Sequence, residues 1–202
     1  MRLLVATTNR NKLREICAIM DGLDIALDSL DAFPPIAEPE ETGHTFAENA
    51  RQKASYYSTQ LGVRVVAEDS GLEIDGLGGE PGVHSARYGG AAAGTYSQKF
   101  ALVYAGLRDR AALCSPARFV CALAVADGPR MLFEARGTIE GRISDEPAGD
   151  GGFGYDPIFF YPPLGRTLAQ LAEHEKSLVS HRGQAFRQLH AHLAAHPTLL
   201  HP

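Results

Sequence analysis

The sequence is short of cysteine, of basic residues and of long apolar runs, and each shortage argues against a class of protein. Three cysteines without CxxC spacing argue against a disulfide framework or a zinc site and favour a reducing cytoplasm. No apolar run approaches the roughly 18–20 residues of a membrane helix, and MRLLVATTN has too short an apolar part for a signal peptide. A formal net charge of −5 argues against a nucleic-acid partner, although a small anionic ligand needs only a few local cations.

Lysine is much scarcer than arginine. Only four of the nineteen basic residues are lysine, namely Lys12, Lys53, Lys99 and Lys176. An ammonium is a compact charge and a guanidinium is a planar fork, so the two side chains are not interchangeable. These four positions either require a compact ammonium or reflect chance, and the sequence leaves both interpretations open.

The order of apolar patterns predicts an α/β fold in a single domain that covers residues 1–202. RLLVAT and DIALD are short strand patterns, and a helical pattern lies between them. Thr45 and Glu48 form a capping box for a helix that Gly62 ends. The strand RVVAEDSG is followed by a long glycine-rich loop and by a helix from Thr95.

The C-terminal half predicts a meander of antiparallel strands over ARFVCALAVADGPRMLFEARGTIEGRI, with Asp127-Gly128 as a turn. A helix is expected after Thr167, and another from about Arg182 to Ala195. Because strands and helices alternate early and a meander comes later, the sheet is expected to be mixed.

The segment TTNRNK joins the first strand to the first helix. Such a junction turns backbone N–H groups and the positive end of the helix dipole toward one point, which suits an anion. It lacks the glycines and the GK[ST] of a Walker loop, so it is either another kind of anion site or an ordinary capped turn. The residues concerned are Thr7, Thr8, Asn9, Arg10, Asn11 and Lys12.

Glu68 and Asp69, in EDSG, are predicted at the C-terminal end of a central strand, the edge where ligands gather in open α/β sheets. Carboxylates there can bind Mg²⁺ together with phosphates, although an acid that caps the following turn fits as well. Side chains alternate along a strand, so these two are expected to face opposite ways. A glutamate of the acidic loop EPEETG, residues 38–43, would complete a carboxylate pair if that loop lies against this edge.

Two later segments combine charged, aromatic and glycine residues. EKSLVSHRG places Lys176, His181 and Arg182 near a helix start, where cations are unfavourable unless an anion or an acceptor is bound. GDGGFGYDPIFF is rich in glycine, but it carries Phe153 and Tyr155 where a phosphate cradle requires bare backbone. A flat, polar ligand fits this loop better, because an aromatic ring offers it a stacking face.

Five segments occur in one order along nearly the whole chain: ATTNRNKLREI, EETGHTFAENARQKA, EDSGLEIDGLGGEPGVHSARY, EPAGDGGFGYDPIFF and EKSLVSHRGQA. Together they resemble the inosine triphosphate/xanthosine triphosphate pyrophosphatase family, also called Ham1-like or RdgB-like. The resemblance implies an elongated, mixed-sheet α/β domain of two lobes with the active-site cleft between them. It also implies a cytoplasmic, Mg²⁺-dependent homodimer that hydrolyses ITP, dITP and XTP to the monophosphate and pyrophosphate.

The resemblance further implies roles for individual residues. The segment Thr7–Lys12 would hold the triphosphate, with Lys53 as a further phosphate contact and Ser70 beside the substrate. Asp69 would be a metal ligand and the general base, and Glu41 would be the second metal ligand. The nucleoside pocket, which binds a flat purine, would comprise Phe153, Gly154, Tyr155, Asp156, Lys176, His181 and Arg182.

Two other functions stay open. A Maf-like pyrophosphatase acting on ordinary or modified pyrimidine nucleotides has a similar fold, but its opening loop differs from TTNRNK and the SHR segment would go unexplained. A nucleotide-binding module without turnover would avoid Glu41 and Asp69, because carboxylates repel phosphates. The chain departs from the family in having Glu68 where Asp is frequent and His44 where an apolar residue is usual, and neither position is among the predicted site residues.

Overall fold

The computed structural model describes residues 2–196, and within this range seven strands and five helices follow one another along the chain. The strands are β1 Arg2–Val5, β2 Ala26–Ser29, β3 Val65–Ile74, β4 Pro116–Asp127, β5 Arg130–Ile143, β6 Phe159–Tyr161 and β7 Arg166–Thr167. The helices are α1 Arg10–Ile19, α2 Phe46–Leu61, α3 Tyr96–Asp109, α4 Glu173–Val179 and α5 His181–Ala195.

One mixed sheet, in the order β2-β1-β3-β4-β5-β6-β7, confirms the predicted α/β class. β1 pairs in parallel with β2 and β3, whereas β6 pairs antiparallel with β5 and β7. The predicted meander is one long hairpin, β4 and β5, joined at Gly128-Pro129. Gly137 and Gly141 lie inside β5 and do not form turns. A Cβ at these positions would collide with the backbone carbonyls of His181 and Phe160, which explains why both are glycine.

Local signals predict the starts of two helices correctly. Thr45 and Glu48 form the expected capping box at the start of α2, and Gly62 ends that helix in the left-handed conformation. Thr95 caps α3 in the same way, with Gln98 as its partner. The inward face predicted for the last helix is also confirmed, since α5 buries Phe186, Leu189 and Leu193.

The helix predicted directly after Thr167 begins later than expected. Thr167 and Gln170 form a capping box, but the 3-10 turn that they close, Leu168–Gln170, is only three residues long. Leu171 then adopts an extended backbone, and α4 begins at Glu173. A capping pair is a local contact, so it predicts a helical turn without specifying how far the helix continues.

The chain divides into two compact units. The first unit holds the residues up to Asp69, Cys121–Gly137 and those from His181 on, and the second holds Ser70–Val120 and Thr138–Ser180. In the first, α1 and α5 bury their apolar faces against side chains of β1, β3 and β4. In the second, α3 packs with side chains of β3 to β6. None of the helices in residues 2–196 has the length and apolar character of a membrane span.

Candidate active site

The loop between β1 and α1 is organised by Asn9. Its side chain caps α1 and accepts hydrogen bonds from the backbone N–H groups of Asn11 and Lys12. The Thr7 hydroxyl accepts another from the N–H of Asn9. Three of the N–H donors predicted for an anion are therefore bonded within the loop itself. Its exposed or half-buried polar side chains are those of Thr7, Thr8, Asn9, Arg10, Asn11 and Lys12.

Glu68 and Asp69 lie in the middle of β3, so the predicted strand end is wrong. The polar stretch EDSG ends the apolar pattern, but β3 continues to Ile74. The edge that the acids occupy belongs to the neighbouring strand, because β1 ends at Val5, which pairs with Val66. Both acids thus lie beyond the C-terminal end of β1, and their contacts diverge as the alternation of a strand predicts.

Glu68 is the centre of a buried charge network in the first unit. Its Oε1 accepts hydrogen bonds from Nε and Nη2 of Arg182 at 3.1 and 3.0 Å, and it lies 3.0 Å from Nζ of Lys12. Nη1 of Arg182 also donates to Glu15 at 2.6 Å. Cys121 donates to the other oxygen of Glu68 at 3.4 Å. Burial opposes ionisation, but Arg182 and Lys12 hold the pKa of Glu68 well below its ordinary value.

Asp69 has a different set of partners. Nδ2 of Asn49 donates to its Oδ2 at 2.9 Å, and Nζ of Lys53 lies 3.4 Å from its Oδ1. The same ammonium lies 2.6 Å from Oε1 of Glu41. Burial raises the pKa of Asp69, and Lys53 and Asn49 oppose this only in part. Two carboxylates therefore share one cation.

Glu41 and Asp69 have the chemistry of a divalent-cation site. Both offer the carboxylate oxygens that Mg²⁺ prefers, and the shared contact with Lys53 shows that the pair can hold one cation. Within residues 2–196 no group of three or more His, Cys, Asp and Glu side chains could hold a metal ion. Mg²⁺ in proteins is commonly bound through one or two carboxylates together with water and substrate phosphates, and this pair fits that pattern.

In the second unit, Asp156 ties the glycine-rich loop to Lys176. Its Oδ2 accepts hydrogen bonds from the N–H of Phe153 and from Nζ of Lys176, both at 2.7 Å. The ammonium of Lys176 also lies 4.7 Å from the centroid of the Phe153 ring, which is a cation–π contact. Asp156 and Lys176 are buried, whereas Phe153 is half-buried. A buried ion pair thus positions an aromatic ring that solvent reaches.

Other residues of this loop support its own packing. A Cβ at Gly152, whose φ is +68°, would collide with the carboxylate of Asp156, so only glycine lets the loop close on that side chain. Tyr155 is buried in the apolar core, and its hydroxyl donates to the carbonyl of Ser85 at 3.0 Å. The contacts of Tyr155 are therefore structural, although a role in substrate binding had been expected from the resemblance.

The structure brings several predicted residues together in two groups, one in each unit. The networks of the first unit contain Lys12, Glu41, Lys53, Asp69 and Arg182. The group of the second unit contains Phe153, Asp156 and Lys176.

Three predicted residues have other surroundings. Arg182 was expected to contact the nucleoside, but it is 1% exposed and its guanidinium is bonded to Glu68 and Glu15. His181 is buried at the start of α5, with its carbonyl against Gly137. Ser70 follows Asp69 on β3 and is the first residue of the second unit.

Sequence reasoning missed Asn49 and Glu15. Asn49 lies four residues before Lys53 on α2, and Glu15 lies three residues after Lys12 on α1. Residues at these spacings share a helix face. A polar side chain one turn away from a predicted site lysine is thus the signal that could have found both.

The chain is similar to known proteins over almost its whole length. The model of the Ham1 family matches residues 3–192. A protein named dITP/XTP pyrophosphatase from Geobacter sulfurreducens is 45% identical over an alignment that covers 95% of this chain and 96% of that protein. Another of that name, from an Exiguobacterium strain, is 44% identical, with 96% and 97% covered. The solved structure of a HAM1 protein from Coxiella burnetii gives a TM-score of 0.89 at 38% identity, covering 96% of this chain and 99% of that one.

Proposed function

Because the chain belongs to the Ham1 family, we propose that it hydrolyses the non-canonical purine nucleotides ITP, dITP and XTP to the monophosphate and pyrophosphate. Relatives named dITP/XTP pyrophosphatase match almost the full length of both chains. The observation that carries the proposal is that Glu41 and Asp69 share the ammonium of Lys53. A carboxylate pair that holds a cation suits a triphosphate, which is bound in proteins together with a divalent ion.

The loop Thr7–Asn11 and Lys12 would bind the triphosphate. Hydroxyl and amide groups of the loop supply hydrogen-bond donors, and Lys12 supplies a positive charge. The contact with Glu68 fixes the ammonium of Lys12 before any substrate binds. A charge held in place in this way stabilises the negative charge that develops on a leaving pyrophosphate without first having to reorganise.

Asp69 would act on the attacking water. The water oxygen forms a bond to the α-phosphorus, the bond from that phosphorus to the bridging oxygen of pyrophosphate breaks, and the water loses a proton. The carboxylate of Asp69 can orient the water and accept its proton. Asn49 holds one oxygen of Asp69, which sets the direction of the other.

Glu41 and Asp69 would also hold Mg²⁺. When bound there, the ion would neutralise phosphate charge and so assist the departure of pyrophosphate. Lys53 has a flexible four-carbon stem, and its ammonium would then pair with a phosphate oxygen in place of the two carboxylates.

The second unit would bind the base. Phe153 offers a ring for stacking, and Lys176 offers a donor beside that ring. Lysine can only donate, so it suits the carbonyl at position 6 of hypoxanthine and xanthine and leaves the amino group of adenine without a partner. The remaining substrate-side residues would be Gly154, Asp156, Ser70 and His181. Tyr155 would support them from the core, and Arg182 would support them through Glu68.

A panel of nucleotides tests the proposal. Pyrophosphate release is measured with Mg²⁺ and ITP, dITP, XTP, GTP, ATP or dTTP, and then with EDTA. We expect the three non-canonical purines to be preferred and EDTA to stop turnover. Preference for the pyrimidine would indicate a Maf-like activity, and ITP binding without pyrophosphate release would indicate a binding module. The proposed cytoplasmic homodimer rests on the family resemblance, and light scattering of the purified protein tests its dimeric state.

A further inference from the structure

Tyr96 is an aromatic residue beside the glycine-rich loop that has no role in the proposed reaction so far. It lies in the first turn of α3, which Thr95 caps, and it is 39% exposed. Its ring meets that of Tyr155 edge to face, with centroids 5.3 Å apart. The ammonium of Lys99 lies 4.7 Å from its centroid and donates to the carbonyl of Ala86. These contacts hold the ring in one orientation.

The hydroxyl end of Tyr96 lies beside Gly154, one of the four glycines of the loop at 149–160. Gly154 has a φ of +69°, and a Cβ built there would lie 3.6 Å from the Tyr96 hydroxyl and 3.7 Å from the ring carbon that carries it. That spacing is ordinary van der Waals contact, so the absent side chain leaves space in front of the hydroxyl. Gly154 directly follows Phe153, the ring proposed to stack on the base.

The two tyrosines of this cluster differ in what their hydroxyls can do. The hydroxyl of Tyr155 is buried and bonded to the carbonyl of Ser85. The hydroxyl of Tyr96 makes no hydrogen bond to any residue between 2 and 196, and it lies beside Gly154 on a residue that is 39% exposed. Burial and the nearby charge of Asp156 raise the pKa of Tyr96, so its hydroxyl keeps its proton at neutral pH and is a donor.

We propose that Tyr96 is a specificity-determining residue of the nucleobase site, where its hydroxyl donates to a ring carbonyl of hypoxanthine or xanthine over Gly154. The inference rests on the proposed function, because it concerns the same base-binding loop. A carbonyl oxygen has two lone pairs, so Lys176 and Tyr96 can both donate to the base without competing. Sites that hydrogen-bond a polar group of the substrate discriminate against an analogue that lacks it.

The test uses Tyr96→Phe, which keeps the ring and removes only the hydroxyl. We expect KM for ITP to rise about fivefold, the effect of losing one ordinary hydrogen bond, with kcat within about twofold of wild type. Leu102→Ala is the matched control, because Leu102 lies on the same helix, is 38% exposed and has no place in the site. A purely structural role for Tyr96 would change kcat or the melting temperature and would not produce an isolated change in KM.

Direct binding separates this inference from the proposed reaction. Inosine monophosphate and purine riboside monophosphate, which lacks the carbonyl, are titrated calorimetrically into wild type and Tyr96→Phe. We expect Tyr96→Phe to raise the Kd of inosine monophosphate about fivefold and to leave the Kd of purine riboside monophosphate within about twofold of wild type. If wild type turns over none of the three nucleotides, the proposed function fails, but this selective loss would still support the inference. Equal binding by both proteins, equal weakening of both compounds, or no binding by wild type would overturn it.

Discussion

Glu68 and Asp69 are adjacent on one strand and almost equally buried, at 4% and 6% exposed, yet their pKa values are shifted in opposite directions. Lys12 and Arg182 outweigh burial and hold the pKa of Glu68 well below its ordinary value, whereas burial raises that of Asp69. Glu68 contacts two cations directly, while Asp69 shares one with another carboxylate. The number of cations per carboxylate, and not burial alone, thus decides the direction in which each pKa is shifted.

The alternation of a strand allows two such sites to be one residue apart. The side chain of Glu68 points toward α1 and α5, which supply Lys12 and Arg182. The side chain of Asp69 points toward α2, which supplies Asn49 and Lys53. Each face of β3 can therefore be tuned by a different helix, and substitutions on the two faces should have different consequences.

Glu68→Gln should have the largest effect, and that effect should be on stability. The substitution removes the more deeply buried of the two carboxylates that compensate Arg182, in a place with almost no solvent. Breaking a buried ion pair by removing one partner costs about 3–5 kcal/mol. We expect a loss of this size in the free energy of unfolding, measured by urea denaturation at pH 7.

Glu134→Gln is the matched control for Glu68→Gln. Glu134 pairs with Arg51, and the two side chains are 40% and 48% exposed. Pairs as exposed as this contribute about 0–1 kcal/mol. Equal losses of stability in the two variants would contradict the role of Glu68 as a buried anchor.

Asp69→Asn should have the next largest effect, and that effect should be on catalysis. We expect kcat to fall on the order of 10²-fold or more, because the change removes the proposed proton acceptor and metal ligand. Stability should be unchanged or higher: a raised pKa means that the ionised carboxylate opposes folding at neutral pH, and the amide removes that cost. Pyrophosphate release and urea denaturation measure the two effects, with Asp127→Asn, on the half-exposed partner of Arg64, as the control.

Two results would contradict this assignment. Near-wild-type turnover by Asp69→Asn would show that Asp69 takes no part in the reaction. Undiminished turnover by the wild-type protein in EDTA would remove the metal, and with it the proposed role of Glu41.

The features that the sequence predicts correctly are those whose partners lie close together along the chain. Thr45 and Glu48 are three residues apart and decide where α2 begins. The opposite orientations of Glu68 and Asp69 follow from the alternation of any strand. Contacts of this kind form in almost any tertiary surrounding, so pattern alone predicts them.

The networks around the two acids could not be predicted in this way. Arg182 reaches Glu15 across 167 residues, and Asn49 reaches Asp69 across 20. Those contacts depend on which helix packs on which face of β3, and no local pattern specifies that. The continuation of β3 past Ser70 and Gly71, beyond the end of β1 and beside β4, depends in the same way on the sheet and not on a local pattern.

Lys12→Ala tests both roles at once, because Lys12 pairs with Glu68 and is also expected to bind phosphate. Loss of one charged hydrogen bond costs about 1.5–3 kcal/mol, so kcat/KM for ITP should fall roughly 10- to 100-fold. Stability should fall less than with Glu68→Gln, since Arg182 still compensates Glu68. Arg14→Ala, on the exposed side of the same helix, is the control. Unchanged kinetics with Lys12→Ala would exclude Lys12 from the site.

The smallest effect concerns which cation recognises the base. Lys176 lies beside Phe153, whereas Arg182 is bonded to Glu68 and Glu15. Glutamine accepts as well as donates, so Lys176→Gln should narrow the ITP:ATP ratio of kcat/KM about tenfold, or about 1.4 kcal/mol. Arg182→Gln should lower kcat/KM for ITP and kcat/KM for ATP by the same factor, because it disturbs Glu68 and, through Glu68, Lys12.

The opposite outcome for Arg182 would have a specific structural meaning. If Arg182→Gln narrows the ITP:ATP ratio, the base must displace a carboxylate from the guanidinium when it binds, as the family resemblance implies for a nucleoside contact. Glu15→Gln distinguishes the two cases, because it removes a partner of Arg182 and leaves Glu68 in place. A guanidinium released from Glu15 would bind ITP better if it recognises the base, and KM for ITP would fall. If Arg182 only supports Glu68, the same variant should leave KM within about twofold of wild type.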